Sequence, residues 1–543
     1  MDPKEELNRF VEEYFQFEHK TRPLEATFRG VHTYDHMIGE FDALNLAEEF
    51  QRIKEFEARF EKIPRRELDT NSQNDCLLWE AKFAGEHLSF EHLRWFENNP
   101  AIYIELCLYG LFVLIIRQFA PLEQRMESLL GRLCEIPRVL NQARQNLKNP
   151  LQIFTQVAMQ MVEGGEQFFG VLIPQMAQKV PQLKDDILQA NAQAREAFGQ
   201  MLMFLNGDLL PRSTGQFAIG EELFNFKLSR EHLLPYTADD LVSIGQEHLR
   251  RTQVQLAELA KEIDPHKEWS QVIEELKGDH PTKGGLLDFY REMMEKAKAF
   301  VRERGIVDMP GEEVLEIIET PEFQQGSIPY AAYLPPAPYD EDQRGFFYVT
   351  PVNEKFDAQK QEEQLRGHCR YKIPITALRE GYPGHHLQLV WGNRVESQIR
   401  KEFGLSSLFA EGWALYCEEM MREEGFYDDK RTLLFQLKDH LWRCARVVID
   451  VSLHAKSMSF DEAVDLLVRE AKLERTNAMA EVRRYTMHPT QPMSYLMGQL
   501  EILRIRERYQ ALQGGIYDLR EFHNKLLSVG TVPPKIAELE ILS

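Results

Sequence analysis

Leu441-Trp442-Arg443-Cys444-Ala445-Arg446-Val447-Val448-Ile449-Asp450-Val451-Ser452-Leu453-His454 is apolar on nearly every side of a helical projection. A helix with so little polar face is a buried one. Arg443, Arg446, Asp450 and His454 interrupt it at steps of three, four and four, so they share one continuous polar stripe. Such a stripe either forms an internal ion network or lines a cavity. Arg446–Asp450 and Asp450–His454 are each one turn apart, which a network explains. Arg443 and the terminal His454 are left over, and they favour a cavity.

Outward from this segment the same period dominates. Residues 3–19, 46–62, 121–147, 186–206 and 238–263 place apolar side chains every three or four positions among Glu, Lys, Arg and Gln. The clearest strand is Gly345-Phe346-Phe347-Tyr348-Val349-Thr350, and the Pro-rich stretch from Ile328 to Tyr339 reads as an irregular loop leading into it. The fold class is therefore mainly α, a large multi-helical body with a central cleft and a few short strands. Turn residues at Leu210-Pro211-Arg212-Ser213-Thr214-Gly215 divide an N-terminal helical lobe, 1–215, from a lobe at 216–543 that carries the chemistry described next.

The chain has 543 residues and a net charge of −22. That balance argues against a nucleic-acid partner, which requires a basic face. Six scattered Cys without a C-x-x-C pair suit buried thiols in a reducing compartment. The start, Met1-Asp2-Pro3-Lys4-Glu5-Glu6, is too charged for a signal peptide. The apolar run Leu106 to Ile116 has about half the residues needed to cross a bilayer, and Glu105 and Arg117 bracket it. A buried helix, no membrane partner and a cytoplasmic address are expected.

Arg379-Glu380-Gly381-Tyr382-Pro383-Gly384-His385-His386 carries the densest chemistry. Ile373 to Glu380 can be helical, but Pro383-Gly384 must break or distort a helix. A regular helix would put His386 nearly two turns beyond Arg379. Only a bulge or break at Gly381–Gly384 lets Glu380 and the His pair converge. Glu411, inside the apolar run Leu408 to Cys417, is a costly carboxylate unless a metal or a cation such as Arg379 pairs with it. Glu418, two turns on, reads as the solvated end of that face. Two imidazoles and a carboxylate can hold zinc, while a free Glu takes a proton from its bound water. Downstream, Arg484, Tyr485 and Tyr495 come just before another helix, Gln499 to Tyr509. A Tyr hydroxyl or a His can donate to an oxyanion, and an Arg can clamp a substrate carboxylate.

With these motifs in order, the sequence resembles the bacterial domain-of-unknown-function 885 family, grouped with zincin-like (gluzincin) metallopeptidases. The resemblance runs over nearly the whole of 1–543 as one continuous unit. Its most specific parts are Glu380-Gly381-Tyr382-Pro383-Gly384-His385-His386-Leu387-Gln388 and Glu411-Gly412-Trp413-Ala414-Leu415-Tyr416. The segment Arg446 to Asp450 with His454 also matches, as do Glu481 to Tyr485, Tyr495 and Gly498, and Phe522 to Leu527. The resemblance implies Glu380 as general base, His385 or His386 as metal ligands and Glu411 as the carboxylate ligand. His454 and Tyr495 would assist catalysis, and Arg446, Asp450, Arg484 and Tyr485 would bind substrate. The family pattern begins His-Glu, and here Arg379 replaces that His. Either the site is one ligand short, or Arg379 stands beside a metal held by His385, His386 and Glu411.

The expected function is a zinc-dependent hydrolase of peptide or other amide bonds, acting on a short peptide or small carboxylate-bearing substrate. The alternative is a metal-free descendant whose cleft only binds a small ligand.

Overall fold

The apolar run lies within one helix, Lys430–Ala455, whose N-terminus is capped by the Asp429 carboxylate accepting from Arg431 N. Val447, Val451 and Cys444 on this helix pack with Leu241, Leu408, Leu496 and Met497 in one buried cluster. Leu241 belongs to the helix Ala238–Ile263, begun by a reciprocal Thr237–Asp240 capping box, which runs along the Lys430–Ala455 helix. The computed structural model describes residues 2–311, 313–321, 325, 328 and 330–542. Within them the chain is mainly helical, with three short strands in one sheet.

The chain forms two compact units, one of Met1–Phe217 with Ala337–Asp342 and one of Ala218–Pro336 with Gln343–Ser543. In the first, the helix Pro3–Thr21 buries Leu7, Phe10, Val11, Tyr14 and Phe15, the spacing of one helical stripe. Phe10 and Tyr14 meet Phe56 and Trp79 in edge-to-face pairs, so an aromatic cluster fills this core. The run Leu106 to Ile116 is the second half of a largely buried helix, Pro100–Ile116, although Tyr109 within it is 51% exposed. No single helix among the described residues is long and apolar enough to cross a membrane.

The second unit holds the sheet, β1 (Val314–Glu319), β2 (Ala331–Leu334) and β3 (Arg344–Val349), in the order β1-β3-β2. β1 runs parallel to β3 and β2 antiparallel to it. The Pro-rich loop expected from Ile328 to Tyr339 thus contains a strand, because Ala331-Ala332-Tyr333-Leu334 pairs along β3 before Pro335-Pro336 ends it. Pro329 of that stretch lies outside the described residues. Helix Ile373–Glu380 packs on Leu286–Arg304 and on Ser407–Glu423, and the last of these packs closely along Ser494–Gln513. These helices carry the candidate site.

Candidate functional site

The helix Ile373–Glu380 stops where Pro383-Gly384 requires. Gly381 N still bonds back to Ala377 O, and Gly384 N then donates to Leu378 O at 3.0 Å, turning the chain over the helix end. A Cβ at position 384 would collide with the Arg379 carbonyl, so glycine is needed for this reversal. Trp413 Nε1 donates to Pro383 O at 2.8 Å and pins the break to the next helix. A second helix, His385–Asn393, begins at once. Its first residue therefore returns to the Arg379 side chain.

Arg379 is the hub of what converges there. Its Nη2 donates to Glu411 Oε2 at 2.5 Å and lies 3.4 Å from His385 Nε2. Its Nε is 3.3 Å from Glu380 Oε1, and its Nη1 is 3.5 Å from Glu418 Oε1. Glu411 Oε2 and His385 Nε2 are 3.6 Å apart. Burial opposes the charge on Arg379, yet Glu411, Glu380 and Glu418 outweigh it and hold the guanidinium above its usual value. Burial also works against ionised Glu411, but His385, the Arg379 charge and Tyr495 together keep that carboxyl well below its usual range.

Tyr495 reaches Glu411 because two helices touch at glycines. A Cβ on either Gly412 or Gly498 would run into the backbone of the other helix. With both absent, Ser494–Gln513 lies directly against Ser407–Glu423. The Tyr495 ring then sits between two guanidiniums, with Arg379 Cζ 5.5 Å and Arg446 Cζ 4.6 Å from its centroid.

His386 does not join this group. It is fully buried and faces the sheet, with Nε2 3.1 Å from Glu313 Oε2 and Nδ1 3.1 Å from the Tyr333 hydroxyl. Glu313 also takes the Lys298 ammonium at 2.7 Å and the Tyr382 hydroxyl. Burial lowers the His386 pKa although Glu313 pulls it up, so this imidazole is a neutral packing group. The reversal at Gly384 aims adjacent histidines in different directions, which corrects their expected joint role as ligands.

The polar stripe divides in the same way. Arg446 faces the hub through Tyr495, and it donates to the Tyr485 hydroxyl at 2.9 Å and to Glu481 at 3.0 Å. Glu481 accepts in turn from Arg484, which also donates to Gln491. Asp450 and His454, in contrast, are fully buried, lie 4.0 Å from each other one turn apart, and also bond backbone. Asp450 accepts from Thr490 N and Met493 N, both at 3.1 Å, and His454 Nε2 is 3.0 Å from Tyr485 O. Neither Asp450 as a substrate contact nor His454 as a catalytic group is brought to Arg379. Asp450 pins the segment entering the Ser494–Gln513 helix, and Arg446 pairs with Glu481 in its place.

Glu418, expected in solvent, is buried next to Arg379 and near Arg443. The Lys430–Ala455 helix covers that face, and burial pushes the Glu418 pKa up although Arg443 and Arg379 draw it down. Glu418 and Glu313 are the two site residues that sequence reasoning missed. The only mark on Glu418 is its place two turns after Glu411 in an apolar helix.

These residues do not fit a zinc ion. His385 and Glu411 are close enough to share one, but the Arg379 guanidinium lies against both of them, and His386 is engaged elsewhere. Among the described residues no group of three or more His, Cys, Asp or Glu side chains is arranged to hold a metal. What the arrangement offers is a cation built into the fold, flanked by two partly exposed carboxylates.

Residues 23–541 match the model of a family described as bacterial protein of unknown function, DUF885, and the chain belongs to that family. A solved structure from Shewanella oneidensis, described as "a putative lipoprotein of unknown function", is 26% identical with a TM-score of 0.83, over 98% of this chain and 99% of that one. A "putative lipoprotein from Colwellia psychrerythraea" is 18% identical with a TM-score of 0.84, over 100% and 99%, and shows a shared fold. No curated protein matches the sequence. These descriptions correct the expected cytoplasmic address. Both of these structures are described as lipoproteins, so a charged start does not place this chain in the cytoplasm.

Proposed function

We propose that this chain is a metal-free, ligand-binding descendant of a zincin-like peptide or amide hydrolase. The observation that carries the reading is the Arg379 guanidinium lying against both Glu411 and His385. An arginine is charged at any physiological pH, so it repels a divalent ion from the two donors that would otherwise share it. Descent from a hydrolase is supported by Glu380, His385 and Glu411, the residues that carry the resemblance, which all lie against the Arg379 side chain.

The ligand that suits the site has charge at both ends. Glu380 and Glu411 are 24% and 20% exposed and present acceptors, while Arg484, 33% exposed, presents donors. A short peptide supplies an ammonium for the former and a carboxylate for the latter. Calorimetric titration of chelator-treated protein with short unblocked peptides tests this. The expected result is binding that needs no metal and leaves the peptide intact, with Arg484→Ala weakening it. Peptide cleavage that stops under chelation and returns with zinc would refute it.

A further inference from the structure

A polar cavity is lined by Glu419, Arg422 and Glu423 of the Ser407–Glu423 helix and by Gln436 and His440 of the Lys430–Ala455 helix. The Ala238–Ile263 and Ser494–Gln513 helices close it, and its volume is about 570 Å³, within the usual range for small-molecule sites. Its floor is unusually rich in acceptors. Gln499 is 97% buried, and its amide Nε2 donates to Glu419 Oε2 at 2.9 Å. That bond fixes the orientation of the amide, and Gln499 Oε1 is then left buried with no donor. Gln436, which also lines the cavity and is more than nine-tenths buried, has an Oε1 with no donor as well. A buried oxygen without a donor is rare and costly in a folded protein.

The remaining lining repeats the pattern. His248 and His440 both reach the cavity, and neither imidazole hydrogen-bonds a described residue. Burial first, then nearby positive charge, pushes His440 down to about 3, and burial lowers His248 as well, so both rings offer lone pairs at neutral pH. The Glu419 carboxyl is raised by burial and by Glu423 despite Arg422 and Arg251 nearby, which marks it as short of positive charge. Around the mouth, Glu262 and Glu423 are already engaged by Lys430 and Arg506, while Glu258 and Glu507 form no ion pair with a described residue.

From this geometry we infer that the cavity is a binding site for a small molecule carrying a primary ammonium group, seated on Glu419, Gln499 and Gln436. An ammonium has three donors and no acceptor, which answers orphaned amide oxygens and a carboxylate together. The lining lacks any group of three metal-binding side chains among the described residues, which points to an organic cation. Arg251 and Arg422, near the rim, would receive a carboxylate at the ligand's other end, as in an amino acid. This site is independent of Arg379 and of the proposal for that hub.

The test is calorimetric titration of the full chain with 1,4-diaminobutane, with lysine and with the neutral 1,4-butanediol. Saturable binding of one diamine or one lysine per chain, with none of the diol, is expected. Tighter binding of lysine assigns Arg251 and Arg422 to its carboxylate. Tighter binding of the diamine assigns the second ammonium to Glu258 and Glu507. Glu419→Gln keeps the shape, and it should weaken the ammonium ligand about tenfold or more, as loss of a charged hydrogen bond does. Gln499→Met tests the orphaned oxygen in the same way. Glu127→Gln, an exposed change on the other unit, controls for general attraction to an acidic protein. Equal binding of the diol, no binding of either ammonium ligand, or equal losses in Glu127→Gln and Glu419→Gln overturns the assignment. Circular dichroism of each variant separates these results from misfolding.

Discussion

Arg379 Nη2 donates to Glu411 Oε2 at 2.5 Å and lies 3.4 Å from His385 Nε2, so its charge stands against both of the donors that a zinc ion would have to touch. The pair is also what makes a partly buried carboxylate tolerable in the Ser407–Glu423 helix. The guanidinium holds Glu411 by charge and a hydrogen bond. Four expectations follow from this and from the contacts around it.

Breaking the pair from the cation side should destabilise the fold. Arg379→Met removes the charge and leaves the buried Glu418 and the partly buried Glu411 without it, at a cost of about 3–5 kcal/mol. Urea denaturation checks this. A loss below about 1 kcal/mol would show that solvent, and not Arg379, satisfies Glu411.

Asp450 should behave as a structural acid. Burial, acting against its hydrogen bonds from Thr490 N and Met493 N, raises it from 3.8 to about 7. The folded state therefore holds a proton that the unfolded state has released, so the contribution of Asp450 to stability falls as pH rises from about 4 to about 7. Stability curves of wild type and Asp450→Asn should diverge in that window, with the variant flatter. Asp450→Ala leaves two buried amides without an acceptor and should cost about 1–3 kcal/mol for each. Parallel pH curves for wild type and Asp450→Asn would remove the basis for this assignment.

The breaks and the burial in this site were legible before the fold was. Pro383-Gly384 signalled the helix end, and the apolar run around Arg446 signalled a buried helix. The partners were harder to see. Glu313 stands just ahead of β1, and nothing in its own neighbourhood says that it meets His386. Glu418 reads as a surface residue because the Lys430–Ala455 helix that covers it contributes no local pattern to residues 407–423. Asp450 and His454 bind backbone groups, which every residue carries and no sequence marks.

The glycine contact between helices carries its own expectation. Gly412→Ala and Gly498→Ala each place a methyl group against opposing backbone, and overpacking of this kind costs about 1–3 kcal/mol. Tyr495 should move away from Glu411 in both. A thermal-melt series checks the cost, and unchanged melting of both variants would mean that the helices do not depend on this approach.

Zinc titration of wild type and Arg379→His, by calorimetry in one buffer, tests the metal-free account most directly. An imidazole at 379 would join His385 and Glu411 as a third donor, the usual number for a zinc site open to water. The result expected is no saturable zinc binding by wild type and one zinc per chain in the variant. One zinc bound tightly by wild type, with Arg379→His leaving its affinity unchanged, would contradict the account.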